Sequence, residues 1–128
     1  MSHMVWLKKA VQSLKTAKAN LTIGDPDAAC NRAYYAIYYA ARASLIAAGH
    51  EQLAMAKTHS GLISAFHEKL IKSGLIAQDH GRALGIESNR RLISDYEGAQ
   101  LSVDEAEQAI ANATKFLTAV EEWLADLS

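Results

Sequence analysis

The stretch Asp25-Pro26-Asp27-Ala28-Ala29-Cys30-Asn31-Arg32-Ala33-Tyr34-Tyr35-Ala36-Ile37-Tyr38-Tyr39-Ala40-Ala41-Arg42-Ala43-Ser44-Leu45-Ile46-Ala47-Ala48-Gly49 decides the fold. Asp25 suits an N-cap, and Pro26 suits the first helical position, where its missing N–H costs nothing. From there to Gly49 few polar residues intervene. A helix that is apolar nearly all round must be surrounded, so this one is expected at the centre of a helical bundle, its alanines allowing close approach by neighbours. Tyr34 with Tyr38 and Tyr35 with Tyr39 form two i,i+4 pairs on adjacent faces, read as core or dimer interface. Asn31 and Arg32 must either find buried partners or lie along a narrow exposed seam. Cys30 reads as a small buried thiol.

Upstream, Leu7, Ala10, Val11, Leu14, Ala17 and Leu21 recur at helical spacing with lysines between them, and Gly24 marks the end of that first helix. Downstream, after a link from His50 to Ala56, a third helix is expected over Thr58 to Lys72, buried through Leu62, Ile63, Phe66, Leu70 and Ile71. A fourth, short helix is expected between Asp79 and Tyr96, weakened by Gly81 and Gly85. Ser102 and Glu105 form a capping box, Leu101 is placed for a hydrophobic staple, and Val103, Ala106, Ile110, Ala113, Leu117, Val120 and Leu124 follow a seven-residue pattern. The reading is all-α, an antiparallel bundle of about five helices. Met1 to Met4 resemble a cloning remnant, so the expected single domain runs from 5 to 127.

Composition narrows the function classes. The 128 residues are 50% hydrophobic and 21% charged, proportions of a folded globular chain. The single cysteine allows no internal disulfide, and no apolar run or leader-like start is seen, so a cytoplasmic protein without membrane contact is expected. A net charge of -1 argues against strong, indiscriminate nucleic-acid binding. The charge is uneven, however: residues 1–75 carry nine Lys/Arg against four Asp/Glu, and residues 76–128 carry four against ten. His59 and His67 stand eight apart, too far to share a metal along one helix, and no metal or cofactor is expected.

Four elements in order then form a recognisable set: Asp25-Pro26-Asp27 leading into Asn31-Arg32-Ala33-Tyr34-Tyr35-Ala36-Ile37, then Lys57-Thr58-His59, then Arg91 to Asp95-Tyr96, then a capped last helix. The chain resembles the HEPN superfamily, and within it the small prokaryotic HEPN-domain proteins, from about Val5 to Leu127. The resemblance implies a dimerising helical bundle, often paired with a minimal nucleotidyltransferase in toxin–antitoxin systems, and in many members a metal-independent ribonuclease. Active members carry Arg, four to six residues, then His: Arg grips the phosphate and His moves the proton. Here none of the five histidines follows an arginine at that spacing. Lining up Tyr96 with the tyrosine after the family motif puts Asn89 at the arginine position and Ser94 at the histidine position.

The expectation is therefore a dimeric module that binds nucleotide or RNA without the usual ribonuclease motif, partnered by a nucleotidyltransferase. The candidate binding residues are Arg90, Arg91, Asn89, Tyr96, His59 and Lys57, with no catalytic residue assigned. The resemblance also marks Tyr96 as a position that partners modify in some relatives. Arg90 and Arg91 are read in two ways: as a charged helix end paired with Asp95 or Glu87, or as exposed groups converging near a two-fold axis, with the second and fourth helices forming the dimer contact. The alternatives are an unconventional ribonuclease using Arg90, Arg91 and His59 or His80, and a structural helical adaptor.

Overall fold

The computed structural model describes residues 2–98 and 100–127; the side chains at 96 and 97 lie outside the described residues, and with them the modification expected at Tyr96. Among the described residues the chain forms six α-helices and no strand: α1 (His3–Thr22), α2 (Pro26–Ala47), α3 (Glu51–Ala54), α4 (His59–Phe66), α5 (Gln78–Glu97) and α6 (Val103–Asp126). None is long and apolar enough to cross a membrane.

The central position of α2 follows from its composition. Ala29, Ala33, Ala36, Ala40 and Ala43 are fully buried together with Tyr34, Ile37 and Leu45. The helix packs chiefly on α1 and α6, with α5 and α4 on its remaining sides. Ala10 and Ala17 of α1 and Ala106, Ala109 and Ala113 of α6 are also fully buried, so small residues line both contacts and bring the backbones close. Phe66 and Phe116 fill the space between α4 and α6, their ring centroids 5.4 Å apart, and burying each contributes roughly 1.5–3 kcal/mol.

The helix ends follow local chemistry. Asp25 accepts from the Ala28 amide, Ser102 and Glu105 complete the capping box, and Leu101 is buried beside them. Ser2, inside the stretch read as a remnant, caps α1 by accepting from the Met4 amide.

Three expectations are corrected. The link after Gly49 contains the four-residue α3. The third helix changes pitch: after Phe66 it continues as a π-helical turn over His67–Ile71, where the Lys72 amide donates to the His67 carbonyl at 2.9 Å. The wider turn lets Phe66, Leu70 and Ile71 all reach the core, which a regular helix would splay. The fourth helix is not short: α5 runs 20 residues through both glycines. Gly81 lies where a Cβ would come within 2.8 Å of the His67 ring and 3.1 Å of Ile71, so close packing against the π turn, rather than a break, accounts for it.

Candidate functional site

Three elements meet at the outer side of α2. Thr58 caps α4 by accepting from the Gly61 amide at 3.0 Å, which sets His59 as the first helical residue and turns its ring toward α2. There the ring stacks on Tyr38, centroids 4.5 Å apart, and its Nδ1 lies 2.7 Å from the Tyr34 hydroxyl. From α5, the Arg91 guanidinium stands 5.0 Å from the centre of the Tyr34 ring, and its Nη1 donates to Asp95 Oδ2 at 3.3 Å. Arg91 Nε is buried without a hydrogen-bond partner. Arg42 closes the other flank, with its guanidinium over Tyr38 at 5.1 Å and its Nε donating to the Ala54 carbonyl at 2.8 Å.

The charge states follow from these surroundings. Burial pushes the Tyr34 phenol up to about 12, opposed in part by Arg91. Burial pulls His59 below its usual 6.5, and the Arg91 and Arg42 guanidinium groups pull it further. Both groups are thus neutral near pH 7 and share one hydrogen across this contact, the Tyr34 O–H donating to Nδ1 when the imidazole hydrogen sits on Nε2. The result is a neutral histidine fixed by two tyrosines between two guanidinium groups.

The sequence candidates separate. On a helix, successive residues turn by about 100°, and residues 89, 90 and 91 use that turn to face three ways. Asn89 is exposed on the outer face of α5. Arg90 points to α6, where Nη1 donates to both Glu87 oxygens at 3.1 Å and to the Glu105 carbonyl at 3.0 Å. Arg91 points to Tyr34. The expected exposure of these arginines is overturned: their side chains are only 14% and 13% exposed, and within the chain they serve different contacts. His59 joins Arg91, while Lys57 is exposed two residues before it. Ser94 Oγ lies 3.4 Å from Asp27 Oδ1, far from any imidazole role.

The pairing of the arginines with Glu87 and Asp95 follows the plainer reading of the sequence, whereas the burial of Glu87 and the role of Asp27 were not foreseen. Glu87 is 1% exposed, held by Arg90 and by Asn112 Nδ2 at 2.8 Å, and burial raises its carboxyl above the usual 4.5 against the pull of Asn112 and Arg90. It ties α5 to α6. Asp27 accepts from the Leu101 amide at 2.8 Å, fastening the start of α2 to the approach of α6.

Comparison with known proteins agrees with this architecture: a model of the HEPN domain matches residues 3–123. The chain belongs to the HEPN family. It is 34% identical over 121 residues to a UPF0332 protein of Gloeobacter violaceus, covering 93% of each chain. It is 32% identical over 123 residues to a UPF0332 protein of Thermotoga maritima, covering 95% of this chain and 90% of the other. A toxin candidate of Methanocaldococcus jannaschii is 30% identical over 96 residues, or 75% of this HEPN chain and 69% of that one.

Proposed function

We propose that this HEPN chain is a self-associating binding module that takes a phosphate-bearing ligand, a nucleotide or an RNA, at the corner of His59 and Arg91. The observation that carries the reading is the meeting of these two residues, 32 positions apart in sequence, on the single ring of Tyr34. Arg91 and Arg42 concentrate positive charge around a histidine they hold neutral, with Lys57 exposed nearby. An anion here would offset that charge, and a guanidinium can meet a phosphate through paired hydrogen bonds. Binding without cleavage by the usual route is favoured because Asn89 and Ser94 replace the family's arginine and histidine.

The second copy would sit on the outer face of α5. Ile86, Leu92 and Ile93 are 50%, 39% and 41% exposed there, beside Gly85 and Asn89. Apolar side chains aligned on one helix face gain from burial against a like face. The expected contribution of α2 is dropped from this reading, because neighbours within the chain already cover most of that helix. Similarity to a toxin candidate supports placing the chain in a toxin–antitoxin pair, and the nucleotidyltransferase as its partner is what the HEPN resemblance implies.

Anisotropy titration of a labelled single-stranded RNA tests the binding. Arg91→Gln should weaken it about tenfold, the loss of one charge-assisted pair. Unchanged affinity in a folded Arg91→Gln variant would remove the site. One observation favours a ribonuclease instead: His59 is neutral and oriented by Tyr34, the state a proton acceptor needs. RNA cleavage by pure protein, lost in His59→Gln, would establish that reading; absence of both binding and cleavage would leave the structural adaptor.

A further inference from the structure

The outer seam of α1 and α2, which meets the Arg91 corner at Arg42, carries cations interleaved with half-buried rings. On α2, Arg32, Tyr35, Tyr39 and Arg42 fall on one side, all half-buried. The Arg32 guanidinium lies 4.8 Å from the centre of the Tyr35 ring. Across the seam, Lys9 of α1 stands 5.4 Å from the Trp6 ring and 5.8 Å from the Tyr39 ring, and Arg42 lies 4.5 Å from Trp6. Trp6 and Tyr39 are themselves in contact, centroids 5.8 Å apart.

The charge pattern points outward. Lys72, Arg82, Arg90 and Arg91 each have a carboxylate partner, whereas Lys9 faces the Trp6 and Tyr39 rings, Arg32 the Tyr35 ring, and Arg42 the Trp6 and Tyr38 rings together with the Ala54 carbonyl. Among the described residues, Arg32 donates from Nε and Nη2 to the neighbouring Asn31 Oδ1. Cations held against aromatic faces lose little freedom when an anion arrives, and they keep donors for it.

We infer that this seam binds single-stranded nucleic acid, its cations following the backbone and its rings receiving bases. Arg32 and Arg42 are ten residues apart, about 15 Å along the helix axis, so engaging both takes more than one phosphate. An acidic polypeptide could use the charges but would gain nothing from rings interleaved with them, which is the pattern of single-strand platforms. The inference deepens the phosphate-bearing reading above by specifying a strand, and the seam runs on to that corner because Tyr35 and Tyr38 both touch the His59 ring.

The test is a length series of labelled oligonucleotides, from a nucleoside monophosphate to a strand of about a dozen nucleotides, within the site sizes of known single-strand platforms. Affinity should rise with length. The double variant Lys9→Gln/Arg32→Gln should weaken the long strand about tenfold, lower its log–log salt slope by roughly 1.4, and leave the monophosphate unaffected. Tyr39→Leu, which keeps an apolar side chain, should weaken the normal strand but not an abasic strand of equal length. Circular dichroism melts confirm that each variant folds. Equal affinity for monophosphate and long strand would overturn the inference. So would an abasic strand, or polyglutamate, binding as tightly as the normal strand; polyglutamate binding would mark the seam as a surface for acidic protein. Failure of the corner is a separate result: Arg91→Gln then leaves monophosphate binding unchanged whatever the length series shows.

Discussion

The Tyr34 hydroxyl lies 2.7 Å from Nδ1 of His59, joining the central helix to the first residue of α4 across 25 positions of sequence. In the tautomer with its hydrogen on Nε2, Nδ1 accepts from the phenol, and the bond then favours neutral imidazole over imidazolium. Tyr34→Phe should therefore raise the His59 pKa toward 6.5, read from the imidazole Cε1 proton by NMR. The lost bond should cost about 1 kcal/mol of stability in urea unfolding. A His59 pKa that stays or falls in Tyr34→Phe would show that the phenol is not the donor.

The same environment sets a pH dependence. The folded pKa of His59 lies below its unfolded 6.5, so between the two the unfolded chain binds more protons and stability rises with pH. Acidifying from pH 7 through 6.5 should thus destabilise the protein, and His59→Gln should remove that slope. Glu87 acts in the opposite sense: its folded pKa is raised above 4.5, so its contribution is present below 4.5 and is lost as pH rises through the folded value. Subtracting the His59→Gln profile from the parent profile isolates the histidine. A difference profile that is flat from pH 7 to 5 would contradict the placement of His59.

Arg90 and Arg91 should differ sharply on replacement. Arg90→Ala leaves the buried Glu87 carboxylate with Asn112 as its remaining side-chain partner, a loss of roughly 3–5 kcal/mol. Arg91→Ala removes a ring contact and a half-exposed pairing with Asp95, about 1 kcal/mol. Thermal melts of the two variants decide the matter, and equal losses would mean that the Glu87 network is not what holds α5 to α6.

How much of this was legible in the sequence depends on the range of the interaction. The capping box of Ser102 and Glu105 and the proline start of α2 are local rules, and the structure follows them. The central place of α2 was legible too, because a helix without a polar face has nowhere else to go. For Arg90 and Arg91 the pairing with Glu87 and Asp95 was legible as i,i+3 and i,i+4 spacing, while their exposure was misjudged, and adjacent residues on a helix diverge by about 100°. Tyr34 with His59 was not legible, since the contact depends on how α4 lies across α2. The length of α5 was missed because Gly81 suggests a break by propensity, whereas packing against His67 is what selects it.

Self-association through α5 has a simple check. Light scattering at micromolar concentration should give a dimer mass, and Ile86→Lys with Ile93→Lys should give a folded monomer, because two charges on an exposed helix face oppose burial without disturbing the core. A parent protein that is monomeric under those conditions would remove the second copy from the proposal.

If the His59–Arg91 corner receives phosphate, the His59 imidazole signal reports it most directly during titration with a nucleoside monophosphate. The bound dianion should shift the Cε1 resonance in a saturable way and raise the His59 pKa, because it offsets the guanidinium charges that hold it down. Arg91→Gln should weaken the titration while a folded Asn89→Ala variant leaves it unchanged. A His59 resonance and pKa that do not move while ligand binds elsewhere, or a parent protein that binds no ligand at all, would contradict the claim.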